Sequence, residues 1–318
     1  MRYRRLGQWG AKLSVVSFGT WLTHGGSVDE QDTVHCVHRA YDAGINFFDT
    51  ANEYQAGRAE EALGKALSGL DRETYLVGTK VYMPMGEGPL RRGLSRKHVM
   101  SQIDGSLRRL GVDFVDLYQC HRYDPEVPVE EVARTMDDLV RAGKVLYWGV
   151  SEWPPDKLVE VIELCRAAGW AVPVSDQVQY SALWRTIEPE VLPACRRTGT
   201  GVLAWSPLAM GLLTGKYAPG AVPEGSRRAS GDGWFLDRYL RPGVLEAVQE
   251  FKKIAENAGY TAAQLAIAWC LHDEAMTSAI VGASRPDQLS ENLAKVDEPL
   301  DPALHAEVAS LLEPVARL

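Results

Sequence analysis

Short apolar runs alternate with amphipathic stretches along almost the whole chain. Many of the apolar runs are continuous, as is typical of strands buried on both faces of a parallel sheet. They predict strands over Leu13–Gly19, Asn46–Asp49, Tyr75–Lys80, Asp113–Cys120, Val145–Val150, Val174–Val178, Gly201–Ser206 and Thr277–Val281. Each strand is followed by a segment with helical spacing of its apolar positions, so the pattern predicts an alternating α/β fold.

The helical segments begin and end at residues that commonly cap helices. Ser95 is a typical N-cap, Pro128 a typical first-turn residue, and Gly111 and Gly143 are typical helix ends. The predicted helices are Glu30–Ala43, Arg58–Leu67, Arg96–Leu110, Pro128–Ala142, Asp156–Ala168, Glu188–Arg197, Val244–Ala258, Thr261–His272 and Pro286–Ala294.

Eight strand–helix units favour one fold, a (β/α)8 TIM barrel. Tyr3–Leu6, with Gly7 and Gly10 turning the chain into Lys12, predicts an N-terminal β-hairpin that closes the bottom of the barrel. We expect residues 1–318 to form a single domain, because no low-complexity segment or repeat marks a linker.

Composition and charge narrow the class of protein. The 318 residues are 46% hydrophobic and 24% charged, enough for a large core. A net charge of -8 offers no basic stripe for phosphate backbones, so we expect no nucleic-acid partner. No run approaches the roughly 18 apolar residues that span a bilayer, so we expect no membrane insertion and a cytoplasmic location. The five cysteines form no CxxC pair and favour reduced thiols.

Other α/β enzyme classes lack their defining motifs in this chain. No GxGxxG follows the first strand and no GxxxxGK[ST] loop is present, so the sequence supports neither a Rossmann sheet nor a P-loop enzyme. Metal-dependent barrel hydrolases need clustered histidines, and no His-x-His occurs on a strand. We therefore expect no metal site.

Four residues with acid–base chemistry fall at or just beyond the ends of successive strands. They are Asp49, Tyr54, Lys80 and His121. Because the carboxyl ends of barrel strands open onto one face, we expect these side chains to converge. Singly, each has a structural interpretation, such as a buried Asp49–Lys80 ion pair or a packed loop aromatic, but the joint placement favours an active site.

These residues carry a family resemblance. The segment Gly44–Tyr54 resembles the signature of the aldo-keto reductases, and nearly the whole chain resembles that superfamily. Gly93–His98, Asp124–Arg141, Trp205–Ala209 and Gln264–Leu271 are similar to the β subunits of voltage-gated potassium channels and to related bacterial reductases, some acting on glyceraldehyde 3-phosphate.

The resemblance implies hydride transfer between NADPH and a small aldehyde or ketone. Tyr54 would be the general acid, and the Lys80 cation beside it is expected to lower the pKa of the phenol. Asp49 would hold the Lys80 ammonium, and His121 would donate an N–H to the substrate oxygen.

The same resemblance implies a cofactor site along the later strand ends. The predicted cofactor residues are Thr20, Trp21, Asp49, Ser151, Gln177, Trp205, Ser206, Pro207, Leu208, Gly211, Lys216, Arg228, Gly282, Ser284, Gln288 and Asn292. Lys216, Arg228 and Ser284 would surround a 2′-phosphate. Glu152 departs from the family pattern, which usually has an amide or Arg after this Ser, but its carboxylate could still accept a hydrogen bond from the carboxamide.

Two classes of function remain open from the sequence. The first is a carbonyl reductase, with Trp21, Tyr82 and His121 at the substrate. The second is a cofactor-binding interaction protein similar to the channel subunits, with weak reductase activity. His121 favours the enzyme, because the channel subunits generally carry Asn at this position. The resemblance also implies a possible homo-oligomer, while the substrate stays unidentified.

Overall fold

A computed structural model describes residues 1–22, 24–26, 28–217 and 234–318. Two short strands form an N-terminal hairpin, β1 (Tyr3–Arg5) and β2 (Lys12–Ser14). Eight further strands are β3 (Val16–Gly19), β4 (Phe47–Asp49), β5 (Leu76–Val81), β6 (Val115–Cys120), β7 (Val145–Ser151), β8 (Ser175–Gln179), β9 (Gly201–Trp205) and β10 (Met276–Val281). They pair in parallel in chain order, and β10 closes on β3. The predicted (β/α)8 barrel is confirmed.

The helices lie around this barrel. They are α1 (Glu30–Asp42), α2 (Arg58–Leu67), α3 (Arg96–Leu110), α4 (Val129–Arg141), α5 (Pro155–Ala168), α6 (Val191–Thr198), α7 (Trp234–Asp237), α8 (Val244–Asn257), α9 (Ala262–Cys270), α10 (Pro286–Leu293) and α11 (Pro302–Leu312). Ser95 caps α3 as predicted, accepting from the backbone N–H of His98, and Gly111 ends this helix in the left-handed conformation.

Two helices are absent from the sequence prediction. α7 is a single turn, but α11 is a full helix that packs against α8. Its start carries a readable signal, because Asp301 accepts from the backbone N–H groups of Ala303 and Leu304 and Pro302 occupies the first helical position. The remaining predicted helices exist, with ends that move by a few residues.

The prediction of one continuous strand over Leu13–Gly19 is wrong. The chain belongs to the hairpin through Ser14, and the Val15 N–H still donates to the Arg2 carbonyl before the barrel strand begins at Val16. The hairpin closes the amino-terminal end of the barrel as predicted. The Gln8 N–H donates to the carbonyl of Gly199, just before β9.

The barrel interior changes from apolar to polar along its axis. Leu6 and Leu13 from the hairpin pack with Phe47, Leu117 and Leu203 at the amino-terminal end. Alternate residues of a strand point to the same face, so Asp49 and His121 follow Phe47 and Leu117 inside the barrel toward its carboxyl end. The amino-terminal end of the barrel is therefore filled by apolar side chains, and polar side chains lie above them at its carboxyl end.

No helix within the described ranges is long and apolar enough to cross a membrane.

Candidate active site

A cleft of about 1000 Å³ opens at the carboxyl ends of the barrel strands. The strand ends contribute Gly19, Asp49, His121, Ser151, Gln177, Trp205 and Val281 to its walls. The cleft extends from Tyr54 to Asn292 on α10, so it is an elongated site rather than a small cavity at the barrel axis.

Three of the four predicted catalytic residues make direct contacts. The Lys80 Nζ atom lies 2.6 Å from Asp49 Oδ2 and also donates to the Thr50 carbonyl at 2.8 Å. It donates to the Tyr54 hydroxyl at 3.3 Å. Lys80 is completely buried and lies behind Tyr54, so only the phenol and the carboxylate reach the cleft. An ammonium without access to water needs these oxygen partners.

An unusual backbone turn places Tyr54 over this ion pair. Tyr54 begins a short 3₁₀ turn in which Gln55 and Ala56 have φ values of 52° and 55°. Residues other than glycine rarely adopt this left-handed backbone conformation, and those that do are concentrated at functional sites. The Tyr54 ring then lies 6.4 Å from the Trp21 ring and 5.8 Å from the His121 ring, between centroids.

His121 completes the predicted group at the end of β6. Its ring is buried but lines the cleft, and it meets the Tyr54 ring edge-on. Burial lowers the pKa of His121, and the cations of Lys80 and Arg122 lower it further, while the Glu53 carboxylate opposes them. The structure therefore brings all four predicted residues to one site.

An amide and a hydroxyl continue the site across the barrel. Gln177 Nε2 donates to Asp49 Oδ1 at 2.9 Å. The Ser151 hydroxyl donates to the Gln177 carbonyl at 2.8 Å and accepts from Arg122 at 3.3 Å. Each carboxylate oxygen of Asp49 thus has a donor, one from Lys80 and one from Gln177.

Glu152 does not line the cleft itself but supports its wall through hydrogen bonds. Its Oε1 atom accepts from the Gln179 backbone N–H at 2.6 Å and from Trp205 Nε1 at 2.9 Å. The Trp205 ring in turn meets Trp21 edge-on, with 5.9 Å between centroids. The residue that departs from the expected pattern therefore fixes an aromatic wall of the cleft.

The loop after β9 lines the cleft with an irregular backbone. Gly211 has a φ of 93°, a left-handed conformation that glycine adopts without strain. Ser206, Ala209 and Met210 also have positive φ, between 47° and 59°. A Cβ added at Gly211 would lie 3.4 Å from Cε of Lys216, an ordinary van der Waals contact, so the positive φ rather than a lack of space favours glycine here.

The far end of the cleft is formed by the loop after β10 and by α10. Gln288 Oε1 accepts from the backbone N–H and the hydroxyl of Ser284, both at 3.2 Å. Gly282 and Asn292 line the same end, and Arg285 adds a cation. Amide and cationic side chains therefore collect far from the Tyr54 phenol.

Comparison with known proteins places this architecture in one family. Residues 15–313 match the aldo/keto reductase family. The chain belongs to the aldo/keto reductase family. Three similar proteins are probable or putative β subunits of voltage-gated potassium channels. One from Oryza sativa is 39% identical over all of this chain and 97% of its own length. One from Arabidopsis thaliana is 40% identical over 93% and 92%, and one from Schizosaccharomyces pombe 40% over 98% and 93%.

Aldo/keto reductase membership supports an oxidoreductase that uses NAD(P)H. The residues present fit such a cofactor. Ser151 and Gln177 offer a hydroxyl and an amide beside the four predicted catalytic residues. Lys216 and Arg285 offer cations along the cleft. These groups suit a carboxamide at one end and phosphates at the other.

The environment of Tyr54 differs from the sequence expectation. Burial raises the pKa of Tyr54 well above its ordinary value, and the carboxylates of Glu53 and Asp49 raise it further, whereas Arg122 opposes them. The expectation of a lowered phenol pKa is therefore wrong for the protein by itself. The charge of Lys80 is matched at 2.6 Å by Asp49, which limits its effect on the phenol.

Besides Lys80, which lies behind Tyr54, two residues predicted to bind cofactor or substrate do not line the cleft. The Thr20 hydroxyl is buried and donates to the Thr50 hydroxyl and the Asp49 carbonyl, so it supports β4 instead of facing a ligand. Tyr82 packs against the core, and its neighbours Met83 and Pro84 form the wall. Arg228 lies outside the described residues, while the other predicted cofactor residues line the cleft.

Three residues that were not predicted also line the site. Glu53 and Arg122 directly adjoin Tyr54 and His121 in sequence, and Arg285 follows Ser284. Their proximity to predicted residues was the available signal. All three lie beyond the strand ends, where side-chain direction follows no regular alternation, so adjacency alone could not place them in the cleft.

Proposed function

We propose that the protein reduces an aldehyde or ketone to an alcohol with NADPH, with Tyr54 as the general acid. The observation that carries the proposal is the position of Lys80 Nζ, 2.6 Å from Asp49 and 3.3 Å from the Tyr54 hydroxyl. The phenol lines the cleft beside His121, where a carbonyl oxygen would be received.

Tyr54 provides the proton for the developing alkoxide. Its raised pKa keeps the phenol protonated at neutral pH, as a donor requires. The cofactor, when bound, supplies the hydride to the carbonyl carbon. As negative charge moves from the carbonyl oxygen to the phenol oxygen, the ammonium of Lys80 at 3.3 Å stabilises it.

Asp49 and His121 have supporting roles in this scheme. Asp49 holds the Lys80 ammonium in a fully buried position and so offsets the cost of burying it. His121 donates an N–H to the substrate oxygen and orients it toward Tyr54. The Trp21 and Trp205 rings form an apolar wall that excludes water from the reacting groups.

The rest of the cleft would hold the cofactor. Ser151 and Gln177 would bind the carboxamide, and the loop from Trp205 to Lys216 would cover the pyrophosphate. Lys216, Arg228 and Ser284 would bind the 2′-phosphate, with Arg285 as a further cation on the cleft wall. Gln288 and Asn292 lie four residues apart on α10 and would face the adenosine together.

A carbonyl-panel assay tests this proposal. Small aliphatic, aromatic and phosphate-bearing aldehydes are mixed with protein and NADPH, and NADPH oxidation is followed by absorbance. Catalysed, protein-dependent oxidation with at least one carbonyl supports the proposal. If no carbonyl is reduced while NADPH still binds, the reductase proposal fails.

The similarity to channel β subunits supports a second candidate, a cofactor-binding interaction protein. The same assay separates the two. An interaction protein would bind NADPH tightly, and mixing the complex with excess carbonyl would oxidise it slowly or not at all. Multiple rapid turnovers would favour the enzyme.

A further inference from the structure

Glu53 and His121 form a close acid–base contact beside Tyr54. Glu53 Oε1 lies 3.4 Å from His121 Nδ1, and both side chains line the cleft. His121 is buried and the Glu53 side chain is 21% exposed. Across the described part of the chain, neither Nδ1 of His121 nor Oε2 of Glu53 finds a hydrogen-bond partner. A proton on Nδ1 of His121 would therefore turn this contact into a hydrogen bond to the Glu53 carboxylate.

The position of this carboxylate decides where the imidazole carries its proton. A carboxylate beside one ring nitrogen favours N–H at that nitrogen. In a neutral ring, a proton on Nδ1 leaves Nε2 as an acceptor, which would repel a carbonyl oxygen. Only the doubly protonated ring donates from Nε2 while Nδ1–H faces Glu53.

We infer that Glu53 is a positioning residue. Its carboxylate keeps a proton on His121 Nδ1 and stabilises the doubly protonated imidazolium form of the ring. The Nε2–H of this imidazolium orients the substrate carbonyl. The inference rests on the proposed reductase function, and it specifies the form of His121 that acts. Glu53 itself does not touch the reacting atoms.

The charges around His121 show why a carboxylate is needed there. Lys80 on β5 and Arg122 at the end of β6 both disfavour a third cation, and the half-buried Tyr54 ring covers one edge of the imidazole. Asp49 is already paired with Lys80. Glu53 is the anion that opposes burial and these cations, although the pKa of His121 stays below its ordinary value of 6.5.

The direct test is an NMR titration of the His121 imidazole in the protein without substrate, assigned by its loss in His121→Asn. Glu53→Gln keeps the size of the side chain and removes its charge. His121 should then titrate at lower pH than in the wild type. Glu53→Asp, which keeps a carboxylate one methylene farther away, should fall between them. Glu61→Gln, the same change at an exposed position on α2, should leave the titration unchanged.

The kinetic readout follows from the same protonation. As pH falls, the active imidazolium becomes more populated, so kcat/KM should rise, and Glu53→Gln should move this rise to lower pH. At pH 7 we expect kcat/KM to fall about tenfold, a part of the about 10²–10⁴-fold that an acid–base group contributes. NADPH affinity should be unchanged.

Identical His121 titrations in the wild type, Glu53→Gln and Glu61→Gln would overturn the inference. A wild-type protein that reduces no carbonyl would instead remove the proposed function, because the titration reports on the Glu53–His121 contact without turnover. A shifted titration with an unmoved pH–rate profile would show that the imidazolium is not the acting form.

Discussion

The amide of Gln177 donates to Oδ1 of Asp49 at 2.9 Å, from a strand on the far side of the barrel. The other oxygen of Asp49 accepts from Lys80 at 2.6 Å. One carboxylate therefore connects the lysine behind the phenol with an amide placed for the cofactor. Any change at Asp49 or Lys80 is expected to affect both halves of the site.

Replacing Lys80 by Met should lower both activity and stability. The substitution leaves the buried Asp49 carboxylate without its counter-ion, and an uncompensated buried charge costs about 3–5 kcal/mol. Chemical denaturation would measure this loss. Lys80→Met with Asp49→Asn should recover much of the stability but none of the reductase activity. Full activity in either variant would remove Lys80 from the proposed mechanism.

Lys216 should contribute to a preference for NADPH over NADH. A charge-assisted hydrogen bond to the 2′-phosphate is worth about 1.5–3 kcal/mol, and about 1.4 kcal/mol already gives a factor of ten in affinity. Lys216→Met should weaken NADPH roughly tenfold and NADH little, as measured by quenching of tryptophan fluorescence. Arg228→Ala should act in the same direction, and added salt should narrow the preference.

The matched control for this prediction is Lys253→Met, because Lys253 is exposed on α8 and pairs with Glu250. It should change neither affinity. Equal dissociation constants for NADPH and NADH in the wild-type protein would contradict the assignment of a 2′-phosphate site.

A stack of three aromatic rings, formed where α11 packs on the barrel, predicts that stability depends on pH. His305 on α11 lies between Trp269 and His272, at 5.0 and 4.0 Å from their ring centroids. Burial, His272 and Arg185 lower the pKa of His305 from 6.5 to about 4. The unfolded chain therefore takes up this proton first as pH falls, so stability is full above 6.5 and decreases between 6.5 and 4.

Thermal unfolding between pH 7 and 5 measures this effect. His305→Gln should reduce the fall in Tm over this range by about 1–2 °C, because an unfolding entropy of about 2.1 cal/mol/K per residue converts about 1 kcal/mol into roughly 1.5 °C in a domain of 318 residues. His35→Gln, at an exposed position on α1, is the control and should not alter the slope. The same slope in all three proteins would show that the ring stack does not titrate as described.

The sequence predicted the barrel well because its information is local. Buried strands such as Gly201–Trp205 are continuous apolar runs, and caps such as Ser95 and Gly111 mark helix ends. Val15 was misassigned because the apolar run Leu13–Gly19 contributes to both the hairpin and the barrel. Only the hydrogen bond from the Val15 N–H to the Arg2 carbonyl shows where the hairpin ends.

The site was predictable in its residues but not in its electrostatics. Strand ends placed Asp49 and His121, whereas the raised pKa of Tyr54 follows first from burial and then from the carboxylates of Glu53 and Asp49. Thr20 and Tyr82 also lie near the correct strand ends, yet their side chains turn toward the core. Side-chain direction beyond a strand end follows from the loop, which periodicity does not determine.

The proton transfer from Tyr54 is tested most directly by single turnover of Tyr54→Phe. Protein loaded with NADPH is mixed with an aldehyde that the wild type reduces, and NADPH oxidation is followed by absorbance. Tyr147→Phe on β7, away from the cleft, is the control. We expect Tyr54→Phe to be slower by about 10²-fold or more, with nearly unchanged NADPH binding, because one proton donor and little cofactor contact are removed. An oxidation rate close to that of the wild type would show that Tyr54 is not the acid.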